Sequence, residues 1–212
     1  MQKTTDKTRT GIFGGSFNPI HNGHVKLASR LLKAARLDEV WLLVTPQNPW
    51  KQENELMDDE TRLWLAKEAV KDMPGLVASD YEFHLPKPSY TWNTLQALSN
   101  DYPDRVFTLL IGGDNWERFD GWYEHDKILA NHDIVVYPRQ GARIDRKTLP
   151  PRVTVVRTPL INISSTEIRN RIRQHLPIDH LVPPRVAEAI AEKGLYAEDV
   201  HLSGVKEELK GS

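Results

Sequence analysis

The sequence predicts an α/β protein, with a mostly parallel sheet flanked by helices and a small helical part at its C-terminal end. Three observations carry this. Continuous apolar runs such as EVWLLVTP (39–46) and RVFTLLIGG (105–113) suit strands buried on both faces. Between such runs lie stretches whose apolar residues recur at helical spacing. The two kinds alternate along 212 residues, a length that can bury one real core.

Taken in order, TGIFGG (10–15) is a short strand that runs into a polar loop. From Asn22, the residues Val25, Leu27, Ala28, Leu31, Leu32 and Ala35 form one helical stripe. The run 39–46 is a strand ended by proline, and Asp58 to Val70 is a helix with Leu63, Ala66 and Val70 inward. LVASDYEF (76–83) is read as a strand, Thr91 to Leu98 as a helix, and 105–113 as a buried strand. A short helix closes at 128–130, before the strands HDIVVYP (132–138) and RVTVV (152–156). Near 158–163 the sheet pattern stops. A capped helix at 164–174 follows, then one from Val186 to Lys193, stopped by Gly194. The expected organisation is a single domain over 1–200, with 161–200 as its helical C-terminal subdomain and 201–212 as a polar tail.

Composition narrows the function. There are 28 basic and 29 acidic residues, a net charge of −1, so no global pull towards nucleic acid or membrane is expected. With no cysteine, disulfide and thiolate chemistry are excluded. The start MQKTTDKTRT lacks the apolar segment of a secretory signal, and no apolar run approaches the roughly 20 residues of a membrane span. A cytoplasmic location is the resulting expectation.

In open parallel sheets, ligands bind at the carboxyl ends of strands. The segments there are 14–24, 45–51 and 112–115. In GGSFNPIHNGH, Gly14, Gly15 and Gly23 allow close backbone approach to a bulky anion, and a helix start favours phosphate. Neither G-x-G-x-x-G nor G-x-x-x-x-G-K-[ST] is present. His21 and His24 admit three readings: a cap plus a surface residue, a metal pair, or two donors to phosphate oxygens. No H-E-x-x-H supports the metal pair. Ser164 and Glu167 fit a capping box. Between 139 and 173 stand nine basic residues against two acidic, which marks an anion-facing surface. In IGGDN, Gly112 and Gly113 permit close approach, and Asp114 either accepts from ribose hydroxyls or caps a helix at 115–119. The acidic run 53–60 reads as a solvated loop and first helical turn, and His132-Asp133, a dipeptide of metal phosphohydrolases, reads as structural.

GGSFNPIHNGH resembles the G-x-F-x-P-x-H-x-G-H segment of the nucleotidyltransferase superfamily, whose members share a Rossmann-like fold. Within it the chain is similar to nicotinate-nucleotide adenylyltransferases. Four further segments carry the likeness in the family's order: TPQNPWK (45–51), PSYTWNTL (88–95), IGGDNWERFDGWYEHDKIL (111–129) and NISSTEIRNRI (162–172). The resemblance covers about residues 10 to 196. It implies adenylyl transfer from ATP, with Mg²⁺, to nicotinate mononucleotide, releasing pyrophosphate.

The same resemblance implies the site. His21, His24 and Arg169 would be catalytic, with His24 the main stabiliser of developing charge. Gly14, Gly15, Phe17, Gly113, Asp114, Ser164 and Ser165 would join them in binding ATP. Ser16 and Lys51 would meet the mononucleotide phosphate. Thr91, at a helix start suited to a carboxylate, would read the base together with Trp122 and Tyr123. No dedicated protein metal site is expected. Two departures stand out: Asn18 replaces the aspartate of many members, and Pro138-Arg139 replaces a pair of arginines. Other acceptors remain open, nicotinamide mononucleotide or phosphopantetheine among them. So do two readings of another class, a non-catalytic nucleotide-binding module and a basic RNA-binding surface over 139–173. His21, His24 and Arg169 argue against the first. The lack of interleaved aromatics argues against the second.

Overall fold

Six strands form one sheet in the order β3-β2-β1-β4-β5-β6. They are β1 (Thr8–Gly15), β2 (Glu39–Val44), β3 (Leu76–Ser79), β4 (Arg105–Gly112), β5 (Asp133–Tyr137) and β6 (Val153–Val155). Every neighbouring pair is parallel. The computed structural model describes residues 7–46 and 56–197. Seven helices accompany the sheet among these residues: α1 (Asn22–Ala34), α2 (Asp59–Val70), α3 (Thr91–Asp101), α4 (Gly113–Trp116), α5 (His125–Asn131), α6 (Ser165–Arg173) and α7 (Pro184–Lys193).

The period-two alternation of the strands sorts the core into two layers. Phe13, Leu42, Val44 and Leu110 face one side, with Leu31 of α1, Leu65 of α2, Ile168 of α6 and Val186 of α7. Ile12, Leu43, Leu109 and Ile111 face the other, with Leu95 and Leu98 of α3 and Ile128 of α5. The two C-terminal helices therefore share a core with the first half of the chain. Leu31 and Leu65 are both fully buried, and truncating either to alanine would cost about 2–5 kcal/mol.

The chain crosses from one side of the sheet to the other between β1 and β4, its switch point. Both strands end in glycine there, at Gly15 and Gly112.

Two elements differ from expectation. β3 stops at Ser79, because the Tyr81 N–H turns back to Ser79 Oγ at 3.2 Å and Tyr81–His84 winds into a 3-10 turn. The helix after β4 starts at Gly113, with Gly112 as its N-cap, so Asp114 lies inside the first turn instead of capping it. His132-Asp133 sits at the amino-terminal edge of β5, the opposite edge of the sheet from the carboxyl ends. His132 is buried with Nδ1 3.3 Å from the Phe107 carbonyl, and Asp133 pairs with Arg152 at 3.0 Å. Lys51, the first three residues of the acidic run 53–60 and the tail 201–212 lie outside the described residues.

Candidate active site

Beyond β1 the chain makes a tight loop, and α1 begins at its end. His21 is the N-cap residue, in extended conformation, and His24 is the third residue of the helix. Their imidazoles stack with centroids 3.6 Å apart and planes 21° apart. The edge of Phe17 meets the His24 ring at 5.0 Å. The His21 backbone N–H donates to His24 Nδ1 at 3.3 Å. An accepting Nδ1 leaves the hydrogen of a neutral His24 ring on Nε2, so the ring is a donor without being charged. Gly23 makes the stack possible, because a β-carbon there would lie 2.8 Å from the His21 ring.

Both imidazoles are held neutral. Burial, and then the Arg139 guanidinium, lower His21 from 6.5 to about 4. Burial, then His21, then Arg139 push His24 well below the ordinary range. Arg139 lies over the Tyr137 ring at 5.5 Å, with its Nε 3.9 Å from an Asp114 carboxylate oxygen.

Side-chain donors hold the loop between β1 and α1 from behind. Arg62, fully buried on α2, donates to the Ser16 carbonyl at 2.5 Å. Arg169, buried on α6, donates to the Asn18 carbonyl at 2.8 Å. The Ser165 hydroxyl donates to the Pro19 carbonyl at 2.9 Å. Within this loop Phe17 adopts a left-handed conformation, φ 46°, a strain of about 1–3 kcal/mol that persists only where the surroundings over-determine it. Its ring is buried in the core. Asn18 Oδ1 accepts from the Met57 N–H at 3.1 Å. An aspartate oxygen would accept the same bond.

Two cavities open at the carboxyl ends of the strands. One, of about 570 Å³, is lined by His21, Gly23, His24, Asp114, Arg139 and Ser164, among others. Ser164 caps α6, its Oγ accepting from the Glu167 N–H at 3.1 Å. The other, of about 420 Å³, is lined by Gly14, Ser16, Glu82, Thr91, Asn115 and Trp122, among others. Tyr137, at the end of β5, lines both.

The residues singled out from sequence are thus distributed. His21, His24, Asp114 and Ser164 meet at the first cavity, and Gly14, Ser16, Thr91 and Trp122 at the second. Tyr123 does not line the second; it is half exposed and packs on Tyr90 with centroids 4.7 Å apart. Arg169 and Ser165 support the loop. Gly113 is buried where a β-carbon would come 2.9 Å from Ala142, so the glycine admits the chain after β5. Gly15 packs against the Phe17 ring, which a β-carbon there would meet at 3.0 Å.

A cytidylyltransferase-like family matches residues 12–171. A Bacteroides fragilis protein named "Probable nicotinate-nucleotide adenylyltransferase" is 48% identical over 187 residues, which is 88% of this chain and 93% of that one. A protein of the same name from Flavobacterium johnsoniae is 40% identical over 190 residues, 89% of this chain and 98% of that one. The chain belongs to the nicotinate-nucleotide adenylyltransferase family. Its fold is shared with Plasmodium falciparum nicotinic acid mononucleotide adenylyltransferase, solved in complex with NaAD, at a TM-score of 0.74 and 20% identity over 89% of this chain and 97% of that one.

Three residues at or behind these cavities escaped sequence reading. Arg62 left one trace: it occupies the inward stripe of α2 with Ala66 and Ala69, where a charge is out of place. Glu82 is buried at the second cavity, accepts from the Thr94 hydroxyl at 2.9 Å and is pushed up by burial. Its helical turn was read as strand. Tyr137 looked like an ordinary strand residue.

Proposed function

We propose that the chain transfers the adenylyl group of ATP to nicotinate mononucleotide, giving nicotinate adenine dinucleotide and pyrophosphate in NAD biosynthesis. The observation that carries this reading is the pair of cavities meeting at Tyr137. One is lined by imidazole and guanidinium groups, the other by Trp122 and the start of α3.

A mononucleotide phosphate oxygen attacks the α-phosphorus of ATP. The bond from that phosphorus to the oxygen bridging to the β-phosphate breaks, and pyrophosphate leaves. The attacking oxygen is already anionic at neutral pH, so no general base is required. Positioning and charge stabilisation supply the rate. His24 donates from Nε2 to the triphosphate, and His21, Arg139 and Ser164 bind alongside it. Magnesium enters with ATP as part of the substrate, held by triphosphate oxygens and water. Asp114 and Glu167, the carboxylates lining that cavity, would be the protein groups available to its waters. Ser16 binds the acceptor phosphate. The free N–H groups at the start of α3, around Thr91, take the nicotinate carboxylate, and Trp122 covers the ring.

Pyrophosphate release from ATP and Mg²⁺ tests this, with nicotinate and nicotinamide mononucleotides run side by side. Strong preference for the acid supports the reaction and the carboxylate role of the α3 start. Equal rates keep the reaction and remove that role. No release with either overturns the proposal.

A further inference from the structure

Arg62 is the one fully buried guanidinium among the described residues, and the reaction above gives it no task. It sits on α2 behind the loop that follows β1. Its Nη1 donates to the Ser16 carbonyl at 2.5 Å and to the Thr45 carbonyl at 2.9 Å. Its Nε donates to the Met57 carbonyl at 2.9 Å, and its Nη2 pairs with Asp59 at 2.5 Å. One planar group therefore ties the end of β1, the end of β2 and the entry to α2.

The bond to Ser16 has a directional consequence. A trans peptide holds its C=O and N–H antiparallel. With the Ser16 carbonyl turned inward onto Arg62, the Phe17 N–H of the same peptide points the other way. The negative end of that dipole is withdrawn and its positive end presented. An anion needs that polarity of its backbone surroundings. Ser16 and Thr45 both line the smaller cavity and neither lines the larger one. Arg62 thus acts on one cavity, while Arg169 bonds the next stretch of the loop at Asn18, beside the histidines.

We infer that Arg62 is a positioning residue for the acceptor: by holding the Ser16 and Thr45 carbonyls it turns the Ser16–Phe17 peptide so that its N–H, with the Ser16 side chain, receives the phosphate of the mononucleotide. The inference rests on the adenylyl-transfer reading above. It predicts an asymmetry. Loosening Arg62 should weaken the hold on the mononucleotide and leave the hold on ATP. A residue needed only for folding would lower the active fraction or the melting temperature without separating the two substrates.

The test is Arg62→Lys, which keeps the charge but gathers its donors on one nitrogen and so loses the planar fork, with Arg62→Met beside it. KM for nicotinate mononucleotide and for ATP are measured separately. Binding of nicotinate mononucleotide alone is followed by tryptophan fluorescence, using Trp122 at the cavity. The expected result for Arg62→Lys is a rise of about 10–100-fold in the mononucleotide KM, with a matching loss in the fluorescence titration, and an ATP KM within about threefold of the unsubstituted chain. Asp59→Asn, which keeps an acceptor for one arm of the guanidinium but removes the charge it pairs with, should give a smaller shift in the same direction and serves if Arg62→Met does not fold. Equal changes in both KM values, or a lower melting temperature with both unchanged, would overturn the inference. No pyrophosphate release by the unsubstituted chain would overturn the reaction and this inference together. Normal release with an unmoved mononucleotide KM in Arg62→Lys would overturn this inference alone.

Discussion

Arg169 reaches back along the chain to donate to the carbonyl of Asn18 at 2.8 Å, so the last third of the sequence holds the loop before α1 in place. Its Nη2 also lies 3.4 Å from Thr166 Oγ1. Arg169→Ala leaves the buried Asn18 carbonyl without this donor. We expect a stability loss of about 1–3 kcal/mol, which is roughly 2–12 °C in Tm for a chain of this size, together with loss of turnover. Arg169→Lys should recover part of the Tm and little of the turnover, since an ammonium cannot span both partners. Thermal melting and pyrophosphate release on the same samples check this, and full turnover in Arg169→Ala would refute it.

His24→Ala should leave the fold intact, because the ring faces a cavity and its loss opens no closed core. Turnover should fall about 10²–10³-fold, the usual effect of removing one preorganised donor. A circular dichroism melt and a single-turnover rate separate the two effects. A near-normal rate would remove His24 from the reaction.

Gly23→Ala is the most specific probe of the stacked imidazoles. Alanine in a helix is favoured over glycine by about 1 kcal/mol, so helix propensity alone predicts a more stable protein. Here the added methyl would lie 2.8 Å from the His21 ring and displace it. The variant should be folded and slow. An unchanged kcat would show that the position of His21 is irrelevant.

The low pKa of His21, about 4 in the folded chain against 6.5 ordinarily, gives a pH prediction with a definite sign. Between these values the unfolded chain binds a proton that the folded chain does not, so stability falls as pH drops from 6.5 towards 4. A bound triphosphate favours the charged ring and raises its pKa. ATP binding near about pH 6 should therefore take up protons. Calorimetry in two buffers of different ionisation enthalpy measures this directly. Identical heats in both buffers would contradict it.

Trp122 and Tyr123 are neighbours with opposite placements. Trp122 lines the smaller cavity, while Tyr123 packs on Tyr90 outside it. Trp122→Ala should raise the mononucleotide KM about tenfold or more, on a stacking energy of about 1–3 kcal/mol. Tyr123→Ala should change it less than about threefold, as expected of an exposed aromatic outside the cavity. Titrations of the two variants decide, and equal effects would overturn the distinction.

The strands and most helix ends could be read from sequence because local patterns set them. Gly194 stops α7 with φ 61°, and Ser164 caps α6 through its own oxygen. β3 was read too long because Val77 to Phe83 is apolar enough for a strand, while the turn is made by a Ser79 hydroxyl that pattern alone does not weigh. The spacing of His21 and His24 drew attention to them but left three readings open, and the resemblance carried by GGSFNPIHNGH chose the phosphate one. Arg62 left only its place on the inward stripe of α2; what it holds becomes visible once Ser16 and Thr45 are folded against it. The family resemblance names Trp122 and Tyr123 together, while rotation of the backbone between successive residues sends the two rings to different neighbours, Trp122 to the cavity and Tyr123 to Tyr90.

Tyr137 is a party wall: one ring, at the end of β5, borders both chambers. Two weak fragments, an anionic one seated by the histidines and a flat aromatic one seated by Trp122, could be joined by a short bridge across that phenol. Once the first is anchored, the second is confined at an effective concentration in the millimolar range, and the linked compound gains about 10²–10⁴ over either half. Selectivity would come from the bridge, because the length it must span is a property of this wall and of neither chamber alone.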